Sequence, residues 1–81
     1  MYNKLSINLK NLIENNKITQ TELGKLLNTS QQNVSRWVSG NYEPNIETII
    51  KLCLILDTDP NDLLGYDEIN DKVKESYKFK K

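Results

Sequence analysis

Residues 18–40 read Ile18-Thr19-Gln20-Thr21-Glu22-Leu23-Gly24-Lys25-Leu26-Leu27-Asn28-Thr29-Ser30-Gln31-Gln32-Asn33-Val34-Ser35-Arg36-Trp37-Val38-Ser39-Gly40, and this stretch decides the fold. Thr19 and Glu22 stand at capping-box spacing: the Thr hydroxyl accepts from the Glu amide, and the Glu carboxylate accepts from the Thr amide. Ile18 and Leu23 flank the cap at hydrophobic-staple positions. A helix over 20–27 follows, with Leu23, Leu26 and Leu27 expected inward. Asn28 tolerates the left-handed conformation that ends a helix. Ser30 is an N-cap for a further helix over 31–39, which Gly40 stops. Val34, Trp37 and Val38 form the inward face of that helix.

Two helices separated by about three residues cannot lie side by side over a long contact, so they cross steeply, as in a helix-turn-helix. Gly24 fits this geometry. Glycine inside a helix costs about 1 kcal/mol relative to alanine, and a close approach of the next helix supplies a reason that surface drift does not.

The flanking sequence is helical too. Leu5, Leu9, Leu12 and Ile13 repeat at helical spacing over 3–15, and Asn15-Asn16-Lys17 breaks the pattern. Asn45 caps a helix over 46–56 whose apolar residues, Ile46, Ile49, Ile50, Cys53, Leu54 and Leu56, make a wide face. That width marks this helix as the expected centre of the core. Asp59 caps a short last helix, with Pro60 at its first position and Gly65 after Leu63 and Leu64. In 66–81, Ile69, Val73 and Tyr77 form a narrow stripe. The expectation is one all-α domain, five helices over 1–65, followed by a 66–81 tail that is a candidate dimerisation helix.

The chain has 81 residues and a formal net charge of zero. That neutrality argues against a nucleic-acid partner until its distribution is read. Residues 1–40 hold five cations against two carboxylates (+3), residues 41–65 hold Lys51 against five carboxylates (−4), and residues 66–81 net +1. The sequence contains no histidine and one cysteine. Histidine-based catalysis is thereby excluded, and no zinc ligand set remains. The lone Cys53 fits a reducing, cytoplasmic setting. No membrane span or secretory signal is expected, and no cofactor.

The residues from Leu9 to Leu64, above all 18–27, 29–37, Gly40, Pro44 and 45–52, resemble the phage-repressor/Cro-type (XRE) helix-turn-helix family. The resemblance implies a compact, lambda-repressor-like five-helix DNA-binding domain whose third helix reads the major groove. Gly24 replaces the family's usual alanine, and Asn28 its usual glycine. Ile13 and Val38 stand where members often pair an arginine with a glutamate.

On the third helix, Gln31, Gln32, Ser35 and Arg36 are the expected base-reading residues. Glutamine matches adenine N6 and N7, and arginine matches guanine O6 and N7. An isolated helix with this polar face would be read simply as solvated; inside a tight helix-turn-helix the reading role prevails. Gln20, Ser30, Ser39, Asn41 and Tyr42 are the expected phosphate contacts, at helix N-termini and beyond the recognition helix. Trp37, three residues after Val34, is better explained by core packing than by stacking on bases. Leu63, Leu64, Tyr66, Ile69 and Val73 are the expected homodimer surface.

The implied function is a sequence-specific double-stranded DNA-binding regulator, a repressor on an inverted repeat. The alternative is an antitoxin or phage-regulatory module whose main partner is a protein. An enzyme built on Glu43 with Glu47, or Asp57 with Asp59, finds no support, because these carboxylates fall in caps and turns.

Overall fold

The structure, a computed structural model, describes residues 4–67. These form α1 (Leu5–Asn15), α2 (Gln20–Leu26), α3 (Gln31–Ser39), α4 (Ile46–Ile55) and α5 (Pro60–Leu64), with no strand among the described residues. The expected tail stripe of Ile69, Val73 and Tyr77 lies outside the described residues.

Four helices start where the sequence places a cap. The side chains of Thr19, Ser30, Asn45 and Asp59 accept from the amides of Glu22, Asn33, Thr48 and Asp62 at 2.8–3.1 Å. Each bond satisfies one of the orphan amides of a first turn and contributes about 1 kcal/mol. The capping box is complete, for the Thr19 amide donates to Glu22 Oε1 at 2.9 Å.

The helix ends are equally regular. Lys17, Asn28 and Asp57 have φ of 55°, 55° and 54°, and Gly40 and Gly65 have 82° and 71°. After each of the first four helices, an amide reaches back five residues: Ile18 to the Ile13 carbonyl, Thr29 to Gly24, Asn41 to Arg36, Thr58 to Cys53. These are Schellman endings. Asn28, Gly40 and Gly65 were expected as stops. Lys17 lies in the expected Asn15-Asn16-Lys17 break, though lysine itself does not favour the left-handed region, and Asp57, not singled out as a stop, is of a residue type that tolerates it.

The core comprises Leu5, Leu9 and Ile13 of α1, Leu23 of α2, Val34 of α3, Leu52 and Cys53 of α4, then Leu56 and Leu63. Trp37 and Val38 pack against it, so Val38 and Ile13 both serve as apolar packing. Two asparagines bind α1 to the second half of the domain. Asn8 Nδ2 donates to the carbonyls of Asp62 and Leu63 at 3.0 and 3.2 Å. Asn16 Nδ2 donates to Leu12 and Leu56 at 2.8 and 3.2 Å. Asn8 thus satisfies carbonyls near the end of α5, and Asn16 satisfies one in its own helix and one at the end of α4.

Three expectations need correction. Leu26 is 63% exposed rather than inward. The buried side of α2 lies between Leu23 and Gly24, and Leu26 sits roughly 110° around from that midpoint at 3.6 residues per turn. α4 is not the centre of the core. It packs on α5, buries Leu52, a residue outside the expected apolar face, and leaves Ile46, Ile50 and Leu54 outside. The apolar residues of α4 cover most of its circumference, so periodicity could not choose which part of that wide face was buried. Finally, Leu63 is fully buried within its own domain, and its side chain is not available to a partner.

Candidate nucleic-acid interface

α2 and α3 are held together by backbone proximity at Gly24. A Cβ there would lie 3.0 Å from the Thr29 carbonyl oxygen, 3.2 Å from Ser30 C and 3.3 Å from Gln31 N. All three are backbone atoms of the turn and the start of α3, so a Cβ at this position would require the turn to give by a few tenths of an ångström. Thr29 N donates to the Gly24 carbonyl at 2.8 Å and closes it. Asn33 Nδ2 donates to Thr29 Oγ1 at 2.8 Å, tying α3 to the same turn.

With the two axes fixed, the first residues of α2 and α3 meet. Gln31 Nε2 donates to Gln20 Oε1 at 2.9 Å. This pair was not legible in the sequence, where the two residues stand eleven apart with separate roles. The bond restrains the Gln31 side chain while leaving its Oε1 and second Nε2 proton as an acceptor–donor edge. Gln20, expected as a phosphate contact, is therefore also a positioning residue for Gln31.

Gln31, Gln32 and Arg36 are exposed, and Ser35 lies half-buried on the same side. The Arg36 carbonyl accepts from Ser39 Oγ at 3.0 Å, Asn41 N at 3.0 Å and Tyr42 N at 3.3 Å. This fastens the segment after α3 onto its last turn. The Arg36 guanidinium lies over the Tyr42 ring, 5.4 Å from its centroid, a cation–π contact that aims it toward the α3–α4 loop. The expected phosphate contacts differ in availability. Ser39 spends its hydroxyl proton on the Arg36 carbonyl, whereas Ser30 only accepts, through its cap, and keeps its proton to donate. Asn41 and Tyr42 have their backbone amides engaged and their side chains exposed.

Beside this edge, a cleft of about 420 Å³ opens between α3 and the start of α4, lined by Asn33, Arg36, Trp37, Tyr42, Pro44 and Thr48 among others. Its lining is mostly polar, and Arg36 and Tyr42 form its outer lip. Cys53 is buried, and that desolvation, with Asp59 as the second cause, pushes its thiol up and keeps it protonated. Among the described residues no group of histidine, cysteine or acidic side chains forms a metal site. No described helix is long and apolar enough to cross a membrane.

The charge map follows the same division. The +3 segment carries α1, α2 and α3, and the −4 segment carries α4 and α5 with their caps. Residues 8–68 match the family model of the Cro/C1-type HTH DNA-binding domain. Among solved structures, the chain is similar to a crystal structure of a transcriptional regulator from Listeria innocua. The TM-score is 0.76 at 19% identity, covering 100% of this chain and 82% of that one. No curated protein sequence matches.

Proposed function

Because the chain belongs to the Cro/C1-type helix-turn-helix DNA-binding family, we propose that it is a sequence-specific transcriptional regulator. In this reading it is a repressor that binds an inverted repeat as a homodimer, with α3 in the major groove. The observation that carries the reading is the exposed edge of Gln31, Gln32 and Arg36, with Gln31 restrained by Gln20 at 2.9 Å.

A side chain already held in one orientation loses less freedom on meeting a base, so more of its hydrogen-bond energy becomes discrimination. Gln31 and Gln32 suit adenine, and Arg36 suits guanine, each good bidentate pair discriminating by roughly 1–3 kcal/mol. Ser35 offers a shorter contact on the same face. Ser30 and the Gln20 amide group approach phosphate from the α2 and α3 N-termini, and Asn41 and Tyr42 approach it from beyond α3. Such contacts set register without reading sequence. Two copies would place their recognition helices about 34–36 Å apart, one turn of duplex.

Selection from random duplexes tests this. A short inverted repeat should emerge, and the Gln31→Ala/Arg36→Ala variant should fail to enrich it while retaining its helical content. Equal, weak binding to every duplex would overturn the reading.

A further inference from the structure

α4 carries three large apolar side chains at one-turn intervals, Ile46, Ile50 and Leu54, which are 78%, 52% and 78% exposed. They form a continuous stripe roughly 12 Å long at 1.5 Å per residue. Leu52, on the opposite side of the helix, is buried in the core, and Cys53 is buried along the stripe's inner edge. Along the stripe's outer flank run Glu47 and Lys51, paired with each other at 3.3 Å. Contiguous exposed apolar surface of this kind gains by being covered.

We infer that the occupant is a second copy of this chain, its α4 antiparallel to the first about a two-fold axis through Ile50. The inference rests on the reading of the protein as a two-copy DNA binder and places its self-association on α4. Two features select a second copy. First, the stripe is its own complement. The axis sets Ile50 against its counterpart and each Ile46 against the other copy's Leu54, an isologous contact. Second, the flank is its own complement. Glu47 and Lys51 each follow a stripe position by one residue, and an antiparallel pair apposes like flanks. Each Glu47 thus meets the other copy's Lys51. A flank of one sign would repel a second copy; this one attracts it. Three side chains a copy fall short of the roughly 800 Å² per partner of a stable complex. The dimer is therefore weak when free and is held together when both copies sit on one duplex, where effective concentration is high.

The test is site-directed disulfide trapping in the full chain carrying Cys53→Ala, with single cysteines at Ile50→Cys, Tyr66→Cys or Val73→Cys. Each is oxidised mildly, both free at high protein concentration and on the selected repeat. Ile50→Cys should cross-link efficiently, since the axis brings the two positions together, and the other two should not. Cross-linking at 66 or 73 without 50 would move the interface to the C-terminal segment and overturn the inference, as would no cross-link at any position. A charge exchange gives an independent readout. Glu47→Lys should weaken self-association about tenfold, and Glu47→Lys/Lys51→Glu should restore it; failure of the double variant to recover would contradict the flank pairing. The functional reading fails separately, by absence of sequence preference in the selection, and the cross-linking of free protein still decides the interface.

Discussion

The α2–α3 unit and α4 use leucine-rich and isoleucine-rich sequence to opposite ends. In α2 and α3, Leu23 and Val34 are fully buried, while the outward side of α3 is polar and includes Gln31, Gln32 and Arg36. In α4 the buried side is equally apolar, yet the outward side is Ile46, Ile50 and Leu54. A polar outer face keeps its value in water and matches the hydrogen-bonding edges of a groove. An apolar outer face gains only by being covered. The same small domain thus presents one helix with a polar outer face and another with an apolar one.

The largest effect that would break this comparison is at Leu23. Leu23→Ala should destabilise by about 2–5 kcal/mol, the range for a fully buried leucine, whereas Leu54→Ala should stay within about 0.5 kcal/mol. Chemical denaturation of both checks this, and equal losses would show that Leu54 is part of the core. Gly24→Val comes next. Its side chain would meet backbone at 3.0–3.3 Å, so overpacking should cost about 1–3 kcal/mol. The melting temperature should fall by about 4–8 °C per kcal/mol, and DNA binding should weaken with it.

Asn8→Ala is the third, removing two hydrogen bonds to the end of α5 at a cost of about 1–2 kcal/mol. Amide exchange in α5 should accelerate before that in α2 and α3.

These sites also show how far the sequence was legible. The caps at Thr19, Ser30, Asn45 and Asp59 join residues three apart, so residue type and spacing were enough. Gly24 was legible because glycine has a known helix cost that demands a cause. The Gln20–Gln31 and Asn8–Leu63 bonds span eleven and 55 positions. They exist only after the helices have crossed, and no local pattern encodes them. The exposed stripe of α4 was hidden for another reason: a helix apolar on nearly every side gives no direction to its burial. At Lys17 position, rather than side chain, imposes the left-handed conformation, and at Asp57 a residue type that tolerates it carries no stop signal by itself.

Smaller effects probe the ends of the α2–α3 unit. The Glu22 carboxyl is held below its ordinary value by the Thr19 amide, then the Thr19 hydroxyl. Its folded state therefore favours the ionised form, and the stabilisation is full above the unfolded value of about 4.3 and fades as pH falls through the lower folded value. Glu22→Gln should flatten stability against pH in that acidic window; an unchanged slope would show that the capping box carries no proton linkage. Lys17→Gly should stabilise by about 0.5 kcal/mol, by relieving the left-handed strain at φ 55° against a gain in unfolded-chain freedom.

The central claim is that α3 reads bases through Gln31, Gln32 and Arg36. It is tested most directly by measuring affinity for every single-base change of the selected repeat, at fixed salt, with the natural protein and with Gln31→Ala. Gln31→Ala should erase discrimination at one symmetric pair of positions, where the natural protein distinguishes bases by about 1–3 kcal/mol, and leave the other positions unchanged. A uniform loss of affinity at every position, with discrimination intact, would contradict it.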